Sequence, residues 1–84
     1  MPYITSVERL YFDSHIPVLS EGINTCGQLN YVITCLCRDY IRKCGLKYAT
    51  LNEVVGVLEC AKLELYRHRI AGYEDKKIAE NGDV

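Results

Sequence analysis

The chain has 84 residues, with 49% hydrophobic and 25% charged side chains and a net charge of −1, so it is sized for one globular domain spanning 1–84 and is not composed like a disordered segment. A near-neutral balance, with a pI near 6.1, lacks the basic footprint of a duplex nucleic-acid binder. No apolar run approaches the roughly 18 residues of a membrane span, and the start, MPYITSVERL, does not read as a secretory signal.

Met1 to Ile4 reads as a short lead. Thr5 and Glu8 are spaced as a capping box, in which the two side chains satisfy each other's backbone N–H groups. The helix they open carries Phe12, Ile16, Leu19 and Ile23 on one face. Pro17 lies inside it and has no N–H to give the carbonyl four residues back. Because the apolar face stays in phase across the proline, we expect one kinked helix to about Glu21. Gly22 and Gly27 then bracket a turn containing Asn24 and Thr25.

A second helix is expected over about 28–44. Leu29, Val32, Ile33, Leu36, Cys37, Tyr40, Ile41 and Cys44 repeat at helical spacing and form a stripe broad enough for a core. Gly45 supplies a residue tolerant of a left-handed terminus. The third helix is expected over 51–71. Thr50 and Glu53 have the spacing of its capping box, and Leu51, Val54, Val55, Leu58, Ala61 and Leu65 form its apolar stripe. Cations gather towards its end, and Gly72 is placed to close it. The short link between the two long helices makes them antiparallel neighbours. The tail, YEDKKIAENGDV, reads as a short element docked through Tyr73 and Ile78. The expected fold is all-α: a small bundle of two long antiparallel helices, a kinked N-terminal helix and a short C-terminal element. Leu36 and Leu58 are assigned to its core. Gly56 inside the third helix costs about 1 kcal/mol against alanine, which close approach of another helix would offset, in this chain or in another subunit. Apolar residues off the main stripe (Val57, Leu63, Ile70) point to a homo-oligomer.

The five cysteines are odd in number, and three sit in one predicted helix, so reduced and mostly buried thiols in a cytosolic protein are expected. Cys35 and Cys37 point about 200° apart on a helix and cannot share a metal ion. We assign no metal site and no cofactor. Glu64 and His68 lie one turn apart on one face, which orients an imidazole. No phosphate loop or nucleophile motif accompanies them, so we do not read an enzyme.

Tyrosine dominates the aromatics, with seven against one phenylalanine. Tyr40 is flanked by Arg38 and Arg42, and Tyr66 by Arg67 and Arg69. A phenol ring can stack on a nucleobase and a guanidinium can fork onto phosphate oxygens, while the same residue types are enriched at protein–protein interfaces.

MPYI at the N-terminus, LNYVIT from Leu29, YATLNEVVGVLECAKLELYRHR from Tyr48, and the closing YEDKK and ENGDV together resemble a family of small phage and prophage proteins of unassigned biochemistry. The resemblance spans nearly the whole chain and implies a free-standing protein in the cytoplasm of an infected bacterium. The chain departs from the family in carrying Gly72, not proline, before Tyr73. It is also similar in size, helical class and tyrosine/arginine content to phage proteins that sequester nucleotide immune signals. The leading expectation is therefore a non-catalytic anti-defence sponge for cyclic ADP-ribose or a cyclic oligonucleotide. Tyr31, Tyr48, Tyr66 and Tyr73 are its candidate stacking residues, and Arg38, Arg42, Arg67 and Arg69 its candidate phosphate ligands. The alternative is an oligomeric module that binds a host or phage protein and no small molecule.

Overall fold

The computed structural model describes residues 4–83; most of the lead, with Tyr3, lies outside the described residues. Every regular element among the described residues is helical, as the periodicity requires: α1 (Ser6–Glu21), α2 (Cys26–Cys44), α3 (Tyr48–Leu65), a π-helical turn (Tyr66–Ile70) and α4 (Ala71–Asn81). By internal contacts the chain divides into two compact units, Met1–Arg38 and Asp39–Val84.

In the first unit, Thr5 caps α1 as its spacing predicts. The Thr5 Oγ1 accepts the Glu8 N–H at 3.2 Å and donates to Glu8 Oε1 at 3.0 Å. Pro17 is inside α1, and the helix continues past it to Glu21. Two residues before it, His15 Nδ1 lies 2.7 Å from the Tyr11 carbonyl oxygen. The imidazole also stacks on the Tyr11 ring at 4.2 Å. The start of α2 differs from expectation. Gly27 is inside its first turn, because Thr25 and Gln28 form a capping box. Gln28 N–H donates to Thr25 Oγ1 at 3.1 Å, while Gln28 Oε1 accepts the N–H groups of Thr25 at 3.0 Å and Asn24 at 2.7 Å.

In the second unit, α2 ends at Cys44 and Gly45 follows with φ +103°, the left-handed conformation its sequence position implies. Two expectations fail beyond it. Thr50 is not a cap: α3 begins at Tyr48 after an extended Lys47 (φ −147°, ψ 161°), and Thr50 is one turn inside, only 1% exposed. Gly72 does not end the helix, because the backbone stays right-handed through Tyr66 and Ala71 and runs on to Asn81. The C-terminal element expected from the tail is the helix α4, which runs on from the π turn and ends at Gly82, with φ +83° and its N–H on the Ile78 carbonyl at 2.7 Å. Nothing lies within 4 Å of a Cβ built on Gly72. Gly72→Ala should therefore gain about 1 kcal/mol, and Gly82→Ala should lose stability to its positive φ. Thermal melts at one fixed protein concentration check both.

Neither unit buries the expected core by itself among the described residues. Among the described residues only Thr50 and Val54 are buried. Leu36 and Leu58, assigned to the core from their stripes, are 57% and 42% exposed. The thiols are not mostly buried either: Cys26, Cys44 and Cys60 are exposed and Cys35 and Cys37 are half-buried, all five free. Periodicity names the face that seeks cover; it does not say which molecule supplies it. Gly56 makes the same point, since no atom comes within 4 Å of its would-be Cβ and its φ is ordinary. Among the described residues no close approach of another helix offsets the cost of a glycine there.

Candidate functional site: the Tyr66–Tyr73 stretch

The sequence-predicted residues fall into separate places. Tyr31 and Arg38 belong to the first unit. There Tyr31 lines an open crevice of about 360 Å³, with Leu19, Ile23 and Val32 among its walls and no cation. Arg42 and Tyr48 belong to the second unit, at the end of α2 and the start of α3. Arg42 reaches Asp39 at 3.6 Å on the surface, and the Tyr48 ring is exposed. The nearby Tyr40 phenol titrates above its ordinary range, because it is hydrogen-bonded to Cys44 and the negative fields of Cys44 and Glu53 oppose its ionisation.

The remaining four, Tyr66, Arg67, Arg69 and Tyr73, share one stretch of continuous helix. The π turn explains its local geometry. Ala71 N–H donates to the Tyr66 carbonyl, five residues back, where an α-helix would use four. One extra residue is thus accommodated without breaking the helix. Around it the side chains pair along the surface. His68 Nε2 and Glu64 Oε2 are 2.9 Å apart, with Arg67 4.0 Å from the other Glu64 oxygen. The Tyr66 hydroxyl donates to Glu74 Oε2 at 3.4 Å, and Lys77 stands 5.6 Å from the Tyr73 ring centroid. Tyr73 also borders a shallow groove with Ile78 and Gly82.

The Glu64–His68 contact foreseen from spacing is present and orients the imidazole. Two aromatic faces and two guanidinium groups stand within one or two turns of each other, all exposed. Such a surface can bind an anionic aromatic ligand or a protein, but it does not by itself enclose either. Among the described residues, no group of three or more His, Cys, Asp or Glu is placed to hold a metal ion. No described helix is long and apolar enough to cross a membrane.

The family model for DUF6899, a domain of unknown function, matches residues 1–84. The chain belongs to the DUF6899 family. No curated protein and no solved structure matches it. The π turn is thus a feature of a DUF6899 protein that sequence reasoning missed. Its signal was present: Leu65 is followed by an apolar residue at a spacing of five, Ile70, and not at three or four.

Proposed function

We propose that this DUF6899 protein is a small self-associating interaction module whose helical bundle is completed by further copies of the chain. The supporting observation is the exposure of the apolar stripes, with Leu36 and Leu58 open and, among the described residues, only Thr50 and Val54 buried. The separate helices α1 and α2, of 16 and 19 residues, take most of their stability from packing of an apolar face. Uncovered faces of this size favour association. In this reading the assembly binds a host or phage protein without catalysis. The long helices pair as antiparallel neighbours, and an odd number of cysteines fits a reducing compartment such as the cytoplasm of an infected bacterium.

A second reading is the nucleotide sponge, favoured by the coincidence of the π turn with Tyr66, Arg67, Arg69 and Tyr73. π turns recur at functional sites. Here the ligand's phosphates meet the guanidinium groups and its base stacks on a tyrosine, in a pocket shared between copies. Light scattering together with calorimetry separates the two. The interaction module gives an oligomer mass at micromolar concentration and no heat with cyclic ADP-ribose isomers or cyclic di- and trinucleotides. The sponge gives the same mass and saturable, reversible binding of an intact ligand. A monomer mass would sink the first reading, and a degraded ligand would mean that the protein is an enzyme.

A further inference from the structure

We infer that one ladder of side chains, Arg69–Tyr73–Lys77, holds the ligand, and that the ligand is a base with a phosphate on each side of it, as in a cyclic di- or trinucleotide. This rests on the nucleotide-sponge reading above and names its residues and its ligand class. Arg69 and Lys77 stand four residues before and after Tyr73, the spacing that sets helical side chains one above the other on one face. Arg67 and Tyr66 do not join them. Arg67 is two residues from Arg69, about half a turn round the helix, and the Tyr66 hydroxyl is turned to Glu74 at 3.4 Å.

The guanidinium groups of the second unit are not equivalent. Arg42 lies 3.6 Å from Asp39 and Arg67 4.0 Å from Glu64, whereas among the described residues no carboxylate stands beside Arg69. Its fork of N–H donors is open to a phosphate. One turn on, Lys77 Nζ stands 5.6 Å from the Tyr73 ring centroid, a cation–π distance, which holds one face of the ring and leaves the other for a base. Lys77 also meets Glu80 at 3.4 Å, with both side chains about half exposed, and a surface pair of that kind yields to a phosphate. Tyr73 and Lys77 share with Ile78 and Asn81 a groove of about 390 Å³, within the size of small-molecule sites. Four residues of rise separate each cation from the ring, about 6 Å along the axis on either side. Cyclic ADP-ribose joins its two phosphates through one oxygen and concentrates its charge at one point. A cyclic oligonucleotide keeps its phosphates a nucleoside apart, which matches a cation on each side of one ring.

The test is calorimetry of the full chain with cyclic diadenylate, cyclic triadenylate, linear diadenylate and cyclic ADP-ribose. A ligand with separated phosphates should bind at least tenfold more tightly than cyclic ADP-ribose, and the better of the cyclic and linear diadenylates names its source. Arg69→Gln, Tyr73→Leu and Lys77→Gln, all at exposed positions, should each weaken that binding about tenfold with the far-ultraviolet helix signal unchanged. Lys77→Arg should keep it, and Arg67→Gln should bind as wild type. Equal losses in Arg67→Gln and Arg69→Gln, or tighter binding of cyclic ADP-ribose, would overturn the ladder while leaving the sponge reading standing. Silence of the wild-type chain with every ligand would overturn both.

Discussion

Replacing Leu58 and Leu65 together by aspartate should reduce the protein to single chains and remove more than half of its far-ultraviolet helix signal at micromolar concentration. Both side chains are already exposed, at 42% and 56%. In a self-sufficient monomer, substitutions at such positions change stability by about 0.5 kcal/mol or less, and neither mass nor helicity would move. The effect is expected to be large because helices without a core have little else to hold them. Two buried aspartates in an apolar interface would each cost several kcal/mol unless they were protonated. Leu63→Asp is the internal control: Leu63 is 55% exposed but lies on the far side of α3 from Leu58 and Leu65. Its aspartate should leave the mass unchanged. The same reasoning makes the wild-type melting temperature rise with protein concentration. An unaltered mass and helix signal in the double variant would mean that this face is simply solvated.

The helices were legible in the sequence and their ends only partly so. Thr5–Glu8 and Thr50–Glu53 have the same spacing and chemistry, yet only the first caps a helix. At Thr50 burial inside the second unit outweighs the local preference, and α3 starts two residues earlier at Tyr48. Thr25–Gln28 is a real capping box that Gly22 and Gly27 disguised as a loop. Gly45 and Gly72 both follow cationic turns, yet only Gly45 takes positive φ. Beyond Gly72 the tail continues through Tyr73–Asn81 without a breaker, and each added residue contributes a further helical hydrogen bond, which outweighs the cost of one glycine. The candidate ligand residues were less legible. Alternating tyrosine and arginine satisfies the chemistry of stacking and phosphate binding on any solvated helix, so spacing alone could not separate Tyr66–Tyr73 from Arg38–Arg42. Nor could it reveal that Leu36 and Leu58 stay exposed in their own units.

Deleting single residues should separate the π turn's structural role from any binding role. The turn holds one residue more than an α-helix would, so a chain lacking His68 can continue as plain α-helix and still place Ile70 one turn after Leu65. It should keep its wild-type oligomer mass and helix content. A chain lacking Cys60 loses a residue where the helix has none to spare. Leu65 and Ile70 then rotate about 100° away from Leu51 and Leu58, the apolar face splits, and the protein should fall to poorly helical single chains. Loss of association in both deletions would mean that the π turn does not keep the two halves of the face in phase. The His68 deletion also reads on the sponge. It regularises the helix beneath Arg67 and Arg69 and moves both guanidinium groups relative to Tyr66 and Tyr73. A nucleotide ligand held there should lose at least tenfold in affinity while the oligomer persists; a protein partner recognised through other faces of the assembly should still bind.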